Sequence, residues 1–156
     1  MTSRFLPFVL ALAAMVALAP GARAQISPGL HVARAADSFE GVNGLGGSLE
    51  LRLPALPGAL VVAGEYFFPG CDGCSLWGGS ADIHVTLSLP TLSPYGTAGL
   101  VLRSIDVSDT RVRTGGLGLG GGVNLATLMV NAFAEARYEI LDGSGDQFVF
   151  RLGLRL

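Results

Sequence analysis

Charged residues recur at alternate positions within short apolar segments of this 156-residue chain. Five carboxylates share that polar parity with five guanidinium groups: Glu50, Glu65, Asp82, Glu135, Glu139, Arg52, Arg103, Arg137, Arg151 and Arg155. Equal numbers of opposite charges are typical of ions paired in a closed interior, where an unpaired charge is costly. Arg pairs better there than Lys because its planar fork binds a carboxylate bidentately, and all ten basic residues are Arg. The pattern predicts an interior ion network, in which we include His84.

The segments that position these charges alternate at period two, which is typical of β-strands. In the last segment, Phe148, Leu152 and Leu154 share one parity, and Arg151 and Arg155 share the other. Eight such segments are predicted, at residues 29–38, 44–53, 59–68, 76–89, 95–105, 114–125, 129–141 and 147–156. Tight connections alternate with polar ones of about 6–8 residues, as in an antiparallel meander with the two kinds at opposite ends.

Residues 1–24 have the features of a secretory signal peptide. Arg4 provides a positive start, an apolar stretch follows, and Ala22-Arg23-Ala24 is a small-x-small cleavage site before Gln25. An uncleaved membrane anchor is disfavoured because the apolar stretch is shorter than the ~20 residues that a spanning helix needs. We therefore expect one exported domain, residues 25–156.

Cys71 and Cys74 are the only cysteines of the chain. In an exported protein we expect a disulfide between them, across an Asp-Gly turn. The alternative, a redox C-x-x-C motif, normally opens a helix in an α/β context, and no such context is predicted. Further zinc ligands are not apparent nearby, so we expect no metal and no cofactor.

Several features indicate that the apolar parity faces lipid. Gly116, Gly118, Gly120 and Gly122 form a row without side chains on the polar parity, which suits a crowded barrel interior and makes a poor solvent coat. Segments of about 10 residues, tilted as in a barrel, span a bilayer. Aromatic residues of the apolar parity flank the polar connections, as in an interfacial girdle; they are Tyr66, Phe68, Trp77, Tyr138 and Phe148.

The combination resembles the small eight-stranded outer-membrane β-barrels of the OmpA-like, OmpX-like and opacity-protein kind. Gly116–Leu125 (GLGLGGGVNL), Ala134–Tyr138 (AEARY) and Phe148–Leu156 (FVFRLGLRL) carry the resemblance. It implies a closed, antiparallel, up-and-down transmembrane β-barrel whose terminal strand is read by the barrel-assembly machinery. The family usually ends in Phe, whereas this chain ends in Leu156. A further departure is Arg34, which shares a parity with apolar residues and predicts a bulge or register change there.

The sequence therefore predicts a non-enzymatic barrel with a structural or surface-interaction role. We expect it as a monomer in the outer membrane of a Gram-negative-type bacterium, with membrane lipid and the assembly machinery as partners. Only 14% of residues are charged and the net charge is −2, so neither disorder nor nucleic-acid binding is expected. Two alternatives stay open: a soluble, lipocalin-like barrel with an apolar lumen, and an enzyme that modifies lipid A through His84.

Overall fold

The chain forms eight β-strands that close into one barrel, in a computed structural model that describes residues 25–36, 41–52, 58–71, 73–87, 89, 91–107, 110–126, 131–143 and 145–156. The predicted signal peptide lies outside the described residues. The strands are β1 (Gln25–Ala36), β2 (Gly41–Arg52), β3 (Ala59–Phe67), β4 (Cys74–Thr86), β5 (Leu92–Val107), β6 (Thr110–Ala126), β7 (Asn131–Leu141) and β8 (Gln147–Arg155).

Each strand pairs antiparallel with the strands before and after it, and β8 closes the barrel on β1. The seam is in register from Gly29 opposite Arg155 to Ala36 opposite Phe148. Leu156 extends it, because its backbone N–H donates to the carbonyl of Pro28 at 2.9 Å. Closure leaves no strand edge, which is the condition for a sheet to sit in lipid. The predicted up-and-down, all-β barrel is confirmed.

The connections differ in length from the prediction. The polar connections at one end, here called the outer end, comprise residues 37–40, 68–73, 108–109 and 142–146. The first three are shorter than the predicted polar stretches because β2, β4, β5 and β6 extend further than expected at this end, and the fourth is as predicted. The opposite end, here called the turn end, has the connections 53–58, 87–91 and 127–130. The prediction of a bulge or register change at Arg34 was wrong, because Arg34 pairs in continuous register with Asn43 and Phe150. Its side chain faces outward near the outer end and donates to the Asn43 side chain at 3.2 Å.

The apolar parity faces outward and the charged parity faces inward. Leu49, Leu100 and Leu119 are 56%, 63% and 53% exposed, whereas Arg137 and Glu139 are 1% and 0% exposed. A lipocalin-like barrel needs the opposite arrangement, so the alternative of an apolar lumen is wrong. Among the described residues, no helix is long and apolar enough to cross a membrane.

Aromatic side chains gather on the outward face near the outer end, in two clusters. In the first, Tyr66 packs edge-on against Phe68 and Trp77 at ring-centroid distances of 5.1 and 4.7 Å. In the second, Tyr138 and Phe148 lie 4.9 Å apart. Phe150, which the sequence analysis did not include, lies 6.4 Å from Phe148.

Two inward features shape the lumen. At the outer end, Ala33, Ala35, Phe67 and Val149 form a buried apolar cluster, here called the apolar cap. Along β6, glycines make room for the side chains of the facing strand. A Cβ added at Gly118 would lie 2.1 Å from Nε of Arg137, so this position accommodates a guanidinium group only as glycine.

We predict that Gly118→Ala lowers the free energy of unfolding by about 1–3 kcal/mol, the usual cost of overpacking a filled interior. The Arg137 guanidinium cannot move away freely, because two hydrogen bonds hold it on Asp82. Urea titration of the refolded barrel, followed by Trp77 fluorescence, measures the change. Gly96→Ala is the matched control, since a Cβ there meets nothing within 4 Å; equal losses in both variants would contradict the prediction.

Candidate functional site

The lumen is filled by a continuous network of charged side chains centred on Glu65 of β3. Its carboxylate accepts hydrogen bonds from Arg103 of β5 at 2.8 Å and from Arg151 of β8 at 2.5 Å. Nε2 of His31, on β1, lies 3.3 Å from the same carboxylate. Glu65 is 2% exposed, so these partners replace the water that a carboxylate needs. One acidic residue thus ties three other strands together across the barrel.

Glu139 of β7 is the second acidic centre, next to the apolar cap. Arg103 donates to both of its oxygens, at 3.0 and 2.6 Å, and Gln147 donates at 2.8 Å. The guanidinium of Arg103 also lies 5.1 Å from the ring centroid of Phe67. Arg103 therefore bridges two carboxylates while its face packs on the cap, an arrangement that its planar, multiply donating group permits.

Asp82 of β4 and Arg137 of β7 form a bidentate pair. Arg137 donates to the two carboxylate oxygens at 2.8 and 2.6 Å, and the Ser80 hydroxyl donates to Asp82 at 2.8 Å. Both charged side chains are fully buried. Two parallel charge-assisted hydrogen bonds are the strongest form of this interaction.

Glu135 of β7 joins the network to two aromatic groups. It accepts hydrogen bonds from Arg151 at 2.8 Å and from the Tyr95 hydroxyl at 2.9 Å. The His84 ring stacks on Tyr95 with centroids 4.7 Å apart. Its Nε2 lies 3.7 Å from Glu135 and makes no hydrogen bond within the described part of the chain. His84, which was predicted to belong to the interior ion network, thus lies beside Glu135 and stacks on Tyr95.

His84 is therefore poorly placed to serve the lipid-modifying enzyme considered above. The residue is 3% exposed and faces the lumen, whereas a lipid substrate contacts the outward face. His31 is also 3% exposed and lies against Glu65. A general base must come within hydrogen-bond reach of the proton that it removes, and neither ring reaches the outward surface.

The network ends at the turn end with Glu50 of β2. Arg155 of β8 lies 3.0 Å from one carboxylate oxygen, and Arg52 donates to the other at 2.6 Å. The Arg155 guanidinium also stacks over Phe133 at 4.2 Å. The prediction that Arg52 belongs to the enclosed interior was wrong: its side chain is 57% exposed. Arg52 lies at the very end of β2, where the lumen opens.

Several interior residues were missed by the sequence analysis. His31, Tyr95, Asn124 and Gln147 all hydrogen-bond to network members. Strand parity could have found them, because Tyr95 shares its parity with Arg103, and Gln147 shares its parity with Arg151. They were not selected because, apart from His84, only formally charged residues were taken from the polar parity.

The predicted disulfide joins Cys71 and Cys74 at the outer end. It lies between β3 and β4, and the Cys74 N–H donates to the Cys71 carbonyl at 3.4 Å. Gly73 adopts a positive φ of 76° there, a conformation that glycine adopts without strain. The described residues contain no group of three His, Cys, Asp or Glu side chains that could hold a metal ion.

An ion pair also lies on the outward face beyond the aromatic clusters. Arg111 donates two hydrogen bonds to Asp106, and the Ser75 hydroxyl donates a third at 3.3 Å. The hydrogen bond from Arg111 holds the pKa of the Asp106 carboxyl below its ordinary value. The pair is exposed, so we expect it to contribute little to stability.

The structure is similar to solved outer-membrane barrels. It matches the N-terminal β-barrel domain of Pseudomonas aeruginosa OprF with a TM-score of 0.63 at 19% sequence identity, over 86% of this chain and 100% of that one. It matches Neisserial surface protein A with a TM-score of 0.57 at 19% sequence identity, over 83% of this chain and 92% of that one. It matches Ail, the attachment invasion locus protein of Yersinia pestis, with a TM-score of 0.61 at 15% sequence identity, over 85% of this chain and 95% of that one.

These likenesses establish that the chain has the fold of small eight-stranded outer-membrane barrels. No protein-family model and no curated protein sequence matches it.

We predict that Arg137→Leu destabilises the barrel by about 3–5 kcal/mol, because it leaves the Asp82 carboxylate buried without its partner. The double variant Arg137→Leu with Asp82→Leu should recover most of that loss, since it removes both charges. Urea unfolding measures both. Arg113→Leu is the control for loss of one arginine, because Arg113 is exposed at the outer end. Unchanged stability of Arg137→Leu would mean that the pair does not support the fold.

Proposed function

We propose that this chain is a non-enzymatic β-barrel of the outer membrane of a Gram-negative-type bacterium, with a structural or surface-interaction role. The observation that carries the proposal is the inverted arrangement of the two faces. Outward leucines such as Leu100 and Leu102 are 63% and 68% exposed, while Glu65 and Arg137 are 2% and 1% exposed. Outward leucines suit contact with lipid, and a lumen in which charged side chains are paired accommodates buried Glu65 and Arg137.

The distribution of charge supports an orientation in the membrane. The turn-end connections 53–58, 87–91 and 127–130 contain no charged residue. In the sequence, seven acidic residues lie within the outer-end connections or next to them: Asp37, Glu40, Asp72, Asp106, Asp109, Asp142 and Asp146. The aromatic clusters lie at that end as well. We propose that the outer end faces the exterior and that both ends of segment 25–156 face the periplasm.

The route to the membrane follows from the same proposal. Residues 1–24 would direct export and be removed before Gln25. The assembly machinery would then read β8, whose outward face carries Phe148, Phe150, Leu152 and Leu154. The N–H of Leu156 extends the β1–β8 ladder beyond β8, so this residue contributes backbone pairing irrespective of its side chain.

The short outer connections bear on which role the barrel has at the surface, and we propose that the protein acts as a monomer. The connection 68–73 contains Cys71, which pairs with Cys74, and only residues 108 and 109 join β5 to β6. Connections this short suit a structural barrel better than an adhesin that needs long loops.

Expression with fractionation tests the proposal. We expect the protein in the outer-membrane fraction, with a difference in gel migration between heated and unheated samples, because a closed barrel resists unfolding by detergent. Recovery as a detergent-free periplasmic protein would contradict it. The enzymatic alternative is tested by comparing the lipid A of cells that express the wild type with that of cells that express His84→Ala. We expect the two lipid A profiles to be equal.

Leu100→Arg provides a sharper version of the same test. Near the middle of β5, an arginine on the lipid face should cost about 2–4 kcal/mol in a bilayer. The same change on the surface of a water-soluble barrel would be close to neutral. Unfolding in lipid vesicles measures the loss, and an unaffected Leu100→Arg variant would show that this face does not meet lipid.

A further inference from the structure

The two ends of the lumen differ in chemistry. The apolar cap of Ala33, Ala35, Phe67 and Val149 lies at the outer end. At the turn end, a cavity of about 160 Å³ is lined by polar residues. We call this cavity the vestibule. It is bounded by Glu50 and Arg155, where the ion network ends.

Two arginines and one carboxylate give the vestibule an excess of positive charge. Arg52 and Arg155 both pair with Glu50, so their combined charge exceeds that of their shared partner by one. The remaining lining is neutral: Ser27, Thr86, Ser93, Asn124 and Asn131. Hydroxyl and amide groups donate hydrogen bonds to an anion, and the arginines have no acceptor to offer a cation.

An unfilled donor and a route to solvent accompany this charge. Arg155 is 5% exposed, and its Nε has no hydrogen-bond partner among the described residues. A buried donor without an acceptor costs free energy, so a ligand that supplies an acceptor is favoured here. Arg52, whose side chain is 57% exposed, connects the vestibule with the outside.

We propose that the vestibule binds a small oxyanion, a carboxylate or a phosphate, that enters from the turn end. The cavity has room for about five waters at ~30 Å³ each, which matches an anion of a few heavy atoms and excludes a large ligand. The site is formed by residues that line the lumen, so its existence does not depend on the proposed function. Only the compartment from which the anion enters, the periplasm, rests on the proposed function.

The charges of the two ends favour the same direction of entry. The sequence has seven acidic residues in or next to the outer-end connections, against three arginines there, Arg34, Arg111 and Arg113, and this excess of negative charge repels an anion. The turn-end connections are uncharged, so the nearest charges that an anion meets there are the arginines of the vestibule. Desolvation inside the mouth strengthens that attraction relative to bulk water.

Titration of the purified protein in detergent micelles tests the site. Inorganic phosphate and acetate are added separately at constant ionic strength, and the side-chain amide signals of Asn124 and Asn131 are followed by NMR. We expect saturable shifts with at least one of the two ions. Arg52→Gln should weaken binding roughly tenfold, equivalent to about 1.4 kcal/mol. Glu50→Gln should strengthen it, because it removes the competing carboxylate.

Arg113→Gln is the matched control, since it removes the same charge at the outer end. It should leave the affinity unchanged. Linear, non-saturating shifts with both ions would overturn the proposal, as would equal effects of Arg52→Gln and Arg113→Gln. Heat-dependent gel migration verifies that each variant is folded. Because the titration is carried out in micelles, its failure is distinguishable from failure of the membrane assignment, which fractionation tests.

Discussion

The pairing of charges inside the lumen is the constraint on which the rest of this structure depends. Glu65, Asp82, Glu135 and Glu139 are each 5% exposed or less, and each is held by at least one arginine. A buried charge is tolerated only when partners replace its water. The partners come from different strands, so satisfying the charges also fixes how the strands are arranged around the barrel.

Space for these partners is provided by residues that lack side chains. An eight-stranded barrel is only wide enough for its own side chains, and arginine is among the largest. Gly118 faces Arg137, and Gly78 faces Arg103 in the same way, since a Cβ at Gly78 would lie 1.5 Å from the guanidinium. Each of these arginines therefore fits in the lumen because the residue that it contacts on another strand is glycine.

The lumen is not uniform along its length, and this asymmetry bears on function. Phe67 and Val149 close the outer end with apolar contacts, while Arg52 and Arg155 line the opposite mouth. Between these two ends lie the buried ion pairs of Glu65, Asp82, Glu135 and Glu139. The fold shared with OprF, Neisserial surface protein A and Ail supports the architecture only, since function depends on individual sites.

Strand parity predicted the eight strands and the residues that share a face, because period two assigns each residue to one of two faces. The balanced charges and the glycine row of the polar parity indicated that Glu65, Arg103 and Arg137 face inward, and the resemblance to outer-membrane barrels implied closure. Parity cannot assign partners or depth. The bridging of Glu65 and Glu139 by Arg103, the stacking of His84 on Tyr95 and the exposure of Arg52 were decided by the tertiary structure. Each depends on the stagger between strands and on the curvature of the closed sheet, which place residues far apart in sequence at one level of the lumen.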